Sequence, residues 1–151
     1  MNTTSQWWIR LAAAISVFGV AIHLATIAGG PAWYAFFGAP PQIVASARAG
    51  TWLAPTSTVG IAALMGVCAA YACSALGLLR RLPLLRPVLA GIAALCLLRA
   101  LVVVPLAINH PALRTTFDIS ASVVWGLAGI GFAAAFLATG KRRRHLQERS
   151  A

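Results

Sequence analysis

The sequence predicts an all-α polytopic membrane protein, a bundle of four transmembrane helices with an aromatic external loop. Three observations carry that expectation. Hydrophobic residues make up 60% of the 151 and charged residues only 9%, against about 25% charged in soluble domains, so most of the surface must have lipid as its solvent. Four apolar runs, about 8–28, 53–79, 87–109 and 117–139, are each long enough to cross a hydrocarbon core of about 30 Å. Glycine, proline and arginine stand between the runs, where helices end and topology is fixed. The runs use most of the length, which leaves a single membrane domain over 1–151 with a basic tail at 140–151.

The first span follows polar Asn2 to Gln6, with Trp7 and Trp8 suited to the headgroup boundary and Arg10 ahead of the apolar run. A cleaved signal peptide is the competing reading, with Arg10 as its charged region and Ala28, Gly29 and Gly30 near a cleavage site. The run is longer than an ordinary signal core and lacks an A-x-A ending, so the span is expected to be retained. Gly29, Gly30 and Pro31 close it, and 32–53 is expected to be the longest loop. Trp33, Tyr34, Phe36, Phe37 and Trp52 concentrate aromatic surface there and read as interface anchors among lipid headgroups. Pro41 starts a short interfacial helix through Ala49, with Ile43, Val44 and Ala47 on one face and Gln42, Ser46 and Arg48 elsewhere.

In the second span Thr56, Ser57 and Thr58 follow Pro55, and Ala62, Gly66, Ala70 and Ser74 recur every four residues. Such a small-residue stripe lets a neighbouring helix approach closely and marks the buried face. Arg80 and Arg81 end the span, and Pro83 and Pro87 flank Arg86 in a tight basic turn. The third span carries Arg99 and Pro105; the proline frees the carbonyl of Leu101 and predicts a kink. Asn109, His110, Pro111, Arg114, Thr115 and Thr116 form the next loop. The fourth span begins with Asp118 and places Ser122, Gly126 and Gly129 along one side, ahead of the run Lys141, Arg142, Arg143 and Arg144.

Lysine and arginine set the orientation. Nine lie at the amino end, between spans two and three, and in the tail, against two, Arg48 and Arg114, on the opposite side. The positive-inside rule then places both termini in the cytoplasm of a bacterial inner membrane, with the aromatic loop outside. This also accounts for the net charge of +10 without nucleic acid, since no basic, aromatic-interleaved module is present. Only two acids occur, Asp118 and Glu148, which excludes paired-carboxylate chemistry such as glycoside hydrolysis within one chain. Cys68, Cys73 and Cys96 lack the spacing of a zinc site or a disulfide framework. No metal and no cofactor is expected.

The polar residues of the spans are the candidates for function. An arginine at mid-membrane costs about 2.5–3.5 kcal/mol on the mild insertion scale, so Arg99 calls for compensation. Asp118 is the only carboxylate nearby in sequence depth, yet it lies about 13–15 Å away along the axis and the two side chains lean apart on antiparallel helices. His23 is better matched in depth, with Gly19 one turn beneath it to face a helix. The expected site is an outer-half polar zone of Arg99, His23, Asp118, Thr56 and Ser57, with Thr58 beside them and the aromatic loop above. The plainer roles are a structural clamp for Arg99, an interhelical hydrogen bonder for His23 and an N-terminal cap for Asp118.

The stretches GGPAWYAFFGAP at 29–40, LLRRLPLLRPVL at 78–89 and LLRAL at 97–101 resemble small four-helix inner-membrane proteins of proteobacteria that carry no assigned function. The resemblance implies the fold and the membrane and brings no catalytic residue. The first-helix glutamate of the quaternary-ammonium multidrug transporters is absent. The expected role is a non-enzymatic one: binding of a lipid or another membrane subunit through the outer polar zone. The alternative is a small oligomeric transporter or channel subunit with Arg99 and His23 lining its path. An enzyme acting on a lipid or quinone would need a nucleophile with its base, or a metal constellation, that the sequence does not offer. Expected partners are membrane lipids, a second copy, or another membrane protein.

Overall fold

The computed structural model describes residues 2–109 and 116–148. The loop residues His110, Pro111, Arg114 and Thr115, together with Arg149 of the tail, lie outside the described residues. The fold is all-α: α1 (Thr3–Gly29), α2 (Pro31–Phe36), α3 (Pro41–Arg48), α4 (Leu53–Leu76), α5 (Leu85–Asn109) and α6 (Thr116–Glu148). Helices α1, α4, α5 and α6 are long and apolar enough to cross a membrane, and only 17–33% of each apolar window is buried within the protein. The remainder faces outward as leucine, valine and phenylalanine, a surface that needs lipid around it.

Local hydrogen bonds explain where the helices differ from the expected spans. The α1 helix starts at Thr3 because Asn2 Oδ1 accepts the Ser5 N–H at 3.0 Å, a side-chain cap on the first turn. The α4 helix stops at Leu76, short of 79, because Gly77 takes φ 82°. The Leu78 N–H then donates to the Cys73 carbonyl at 3.0 Å and the Gly77 N–H to that of Ser74 at 3.1 Å, a Schellman ending. Helix α2 falls where a loop was expected: Pro31 occupies its first turn, directly after Gly30 at φ 68°. Helix α3 begins at Pro41 as expected. Helix α5 runs through Pro105 to Asn109, and α6 runs on to Glu148, so the 141–144 basic run rides on a helix.

The chain divides into two compact units, Met1–Ile15 with Cys68–Ala151, and Ser16–Val67. The first has a core built from all four long helices: Ile9 and Ala12 of α1, Ala72 and Ala75 of α4, Leu89, Ala93 and Cys96 of α5, and Ala128, Phe132 and Ala135 of α6. Most of these are small, which is how helices gain contact where hydrophobic exclusion provides no drive. Two α6 glycines mark the closest approaches. A Cβ at Gly129 would lie 2.7 Å from Leu97 Cγ, and one at Gly131 would lie 2.5 Å from the Trp8 carbonyl oxygen and 2.6 Å from Ala12 Cβ.

In the second unit Gly19 lies beneath the Met65 sulfur, so close that no Cβ fits, and Gly66 faces Val20. The expected stripe on α4 follows the buried side, with Ala62 and Ser74 buried and Gly66 and Ala70 half-buried. Two buried hydroxyls tie down the segment between α1 and α4. Thr58 Oγ1 donates to the Ala54 carbonyl at 2.8 Å and lies 3.2 Å from the Tyr34 hydroxyl. Ser46, expected on the polar face of an interfacial helix, is instead buried. Its Oγ accepts the Ala54 N–H at 3.0 Å and meets Thr51 Oγ1 at 2.6 Å, capping the start of α4 from α3.

Three substitutions test this packing and capping. Gly131→Ala sets a methyl against a backbone carbonyl that cannot swing away and is expected to destabilise by about 1–3 kcal/mol. Gly91→Ala, where a Cβ meets nothing within 4 Å, is expected to be neutral or to stabilise by up to about 1 kcal/mol; thermal unfolding in detergent by circular dichroism compares the two. Ser46→Ala, which strands the α4 cap, is expected to lower stability by about 0.5–2 kcal/mol in the same assay.

Candidate functional site

The residues expected to form an outer polar zone are placed as follows. His23 is half-buried and its Nδ1 lies 2.7 Å from the Gly19 carbonyl oxygen, which fixes Nδ1 as the donor and leaves Nε2 as an acceptor when the ring is neutral. Thr56 is exposed and donates to the Trp52 carbonyl at 2.6 Å; Ser57 donates to that of Ala54 at 3.0 Å. These three belong to the Ser16–Val67 unit, and each of these bonds runs to its own or the immediately preceding turn. Arg99 and Asp118 belong to the other unit. Asp118 is half-buried in the first turn of α6, the place a carboxylate favours. Arg99 is exposed on α5, and among the described residues no hydrogen bond or ion pair reaches its guanidinium.

Of the expected interface anchors, Trp33, Phe36 and Trp52 are exposed at 45%, 77% and 81%. Phe37 is half-buried and joins them through ring contacts, 5.1 Å to Phe36 and 6.0 Å to Trp33 between centroids. Tyr34 departs from the expectation. It is 4% exposed and acts inward, through the hydroxyl pair with Thr58.

A second candidate place lies in the other compact unit. Where α4 ends, α5 begins and the apolar window of α6 closes, a cleft of about 450 Å³ opens. The linker that forms one wall is held from α4. Buried Ser74 donates to the Arg80 carbonyl at 3.0 Å and accepts the Leu82 N–H at 3.1 Å, while the Tyr71 hydroxyl donates to the Pro83 carbonyl at 3.1 Å. Leu84 then turns the chain into α5 with φ 51°, the left-handed region, at about 1–2 kcal/mol of strain for a residue with a Cβ. Arg81 stands exposed at the rim, and Leu82, Leu85, Pro87 and Ala138 supply apolar walls.

Arg86 lines this cleft. Its guanidinium lies 4.9 Å over the Phe136 ring and so close to Gly140 that a Cβ there would be 2.9 Å from Nη2. Nε is buried and, among the described residues, has no hydrogen-bond partner. The residue also sits in the first turn of α5, ahead of the first intrahelical bond, which Val88 donates to the Leu84 carbonyl at 3.0 Å. A helix start is itself the positive end of the backbone dipole. No protein family, curated protein or solved structure matches this chain.

The arrangement can bind and orient an anion. Guanidinium groups are donors only and fork onto phosphate or carboxylate, and two of them share this cleft with a helix N-terminus. The apolar walls accommodate a hydrocarbon portion of the same ligand. Among the described residues no cluster of three histidine, cysteine or acidic side chains gathers as a metal site. In the sequence Arg86 reads as one more topology charge. What distinguishes it from Arg80 and Arg81 is Pro87 directly after it, which favours a helix start at that point, and Gly140, whose relation to it only the fold reveals. Leu84→Gly is expected to raise stability by about 1 kcal/mol by relieving the left-handed strain, at the loss of a side chain already 73% exposed; thermal unfolding measures it.

Proposed function

We propose that this protein is a multi-pass, non-enzymatic component of a bacterial inner membrane that holds an anionic phospholipid headgroup in the Arg86 cleft. The observation carrying the proposal is the buried, unpartnered Nε of Arg86 inside an apolar cleft rimmed by Arg81. Depth supports it. The cleft is lined from the last turn of α4, the first of α5 and residues 138–139 of α6, where three apolar windows end. A phosphate lies at that level while its acyl chains continue along apolar helix faces. The distribution of lysine and arginine supports a cytoplasmic position for this end, where anionic lipids give the leaflet its negative potential. The resemblance to small proteobacterial inner-membrane proteins is the basis for the membrane proposed. This reading favours the Arg86 cleft over the outer polar zone for lipid binding, because His23, Thr56 and Ser57 already bond to local carbonyls.

Native mass spectrometry of the delipidated protein titrated with phosphatidylglycerol or phosphatidylcholine tests this. The expected result is a preference for phosphatidylglycerol of about tenfold, equivalent to about 1.4 kcal/mol. Arg86→Gln is expected to bring the two lipids level while leaving thermal unfolding close to that of the parent. Equal retention of both lipids by the parent protein, or an unchanged preference in Arg86→Gln, would count against the proposal.

A further inference from the structure

Helix α5 directs Leu89, Ala93 and Cys96 into the core, and Arg99 falls off that stripe. It is exposed, among Leu95 at 66%, Leu98 at 60% and Val102 at 40% exposure. Helix α5 runs from Leu85 to Asn109, which puts Arg99 about 21 Å from one end and about 15 Å from the other at 1.5 Å per residue. A helical side chain leans toward its own amino end, so this one leans away from the nearer boundary and toward the one beyond an arginine's reach. A headgroup phosphate is therefore poorly placed to neutralise it, unlike at Arg86.

Nor does the chain supply its own counter-charge at that depth. Among the described residues nothing hydrogen-bonds or ion-pairs with Arg99. Asp118 lies in the first turn of α6 and has a partner of its own. Glu148, the only other acid, ends α6 beyond its apolar window. A second copy thus brings no carboxylate to the level of Arg99. A bare cation on a lipid-facing surface is among the least favourable arrangements a membrane protein can present, and such residues pair with an opposite charge inside an assembly.

We infer that the Leu95–Leu98–Arg99–Val102 face of α5 is the docking surface for a transmembrane helix of a different subunit carrying an aspartate or glutamate at the depth of Arg99. The apolar residues provide packing, and the carboxylate provides bidentate pairing in a medium where nothing else competes for the guanidinium. The inference does not depend on the lipid cleft, since it rests on a different residue at a different depth.

The test reconstitutes the full-length protein, carrying a donor fluorophore, in phosphatidylcholine vesicles with acceptor-labelled polyleucine transmembrane peptides. One peptide has a single aspartate at the depth of Arg99, one has it displaced by two turns, about 11 Å, and one has none. The matched aspartate peptide is expected to associate at least about tenfold more strongly than either control. Arg99→Ala and Arg99→Gln are expected to reduce it to the level of the all-leucine peptide, and Arg99→Lys to keep part of it, with the charge retained and the bidentate fork lost, and with thermal unfolding of Arg99→Gln confirming a folded chain. Arg86→Gln is expected to leave association unchanged. Equal binding of the three peptides, or full binding to Arg99→Ala, overturns the inference. So does displacement of the matched peptide by phosphatidylglycerol, which makes a headgroup the occupant. Energy transfer between copies of the protein that is lost in Arg99→Ala overturns it as well, in favour of self-association.

Discussion

A polar group in hydrocarbon has no water to turn to, and the rest of this structure depends on that constraint. Helices satisfy the backbone internally, and the hydroxyls along the spans follow suit. Thr26, Thr58, Ser120, Ser122 and Thr139 each donate to a carbonyl four residues earlier on their own helix, and Thr56 to that of Trp52 just before its helix. His23 makes the same choice. Such bonds neutralise a side chain without committing a neighbouring helix, so packing is left to shape. That is why alanine and glycine dominate the contacts, down to Gly131 against the Trp8 carbonyl.

Where the helices end, the constraint falls on the connections. Ser46 reaches from α3 to cap α4, and Ser74 and Tyr71 reach from α4 to hold three polar groups of the basic linker. The linker is thereby fixed with the Arg80 and Pro83 carbonyls already accepting from α4. Arg86 enters the next helix immediately beyond it, with Phe136 under its face and an Nε that no described group accepts from. The strained Leu84 is part of the same construction, since it sets the direction in which α5, and with it Arg86, leaves the linker.

The architecture was legible because lipid solvation leaves a coarse, long-range signature: four apolar runs of spanning length appear as four helices, and the Ala62 to Ser74 stripe does follow the packed side of α4. Boundaries were less legible because they turn on single bonds, such as the Asn2 cap or the Schellman pair at Gly77. Helix α2 was missed because Gly29, Gly30 and Pro31 read as a stop, although a proline after a glycine is equally a start. The proposed cleft was the least legible part. Depth and residue type grouped Arg99, His23, Thr56 and Ser57, whereas the hydroxyls and the imidazole are satisfied one turn away, a choice that hydropathy does not encode. Nor does one-dimensional spacing reveal that Gly140 and Phe136, some fifty residues on, provide the bed for Arg86.

The two arginines of α5 lie thirteen residues apart, about 20 Å along one helix, and this separation gives them different chemistries. At the end of the apolar window a guanidinium can meet a phosphate that arrives from the leaflet; well inside it, with the side chain leaning inward, only a charge carried on another helix arrives.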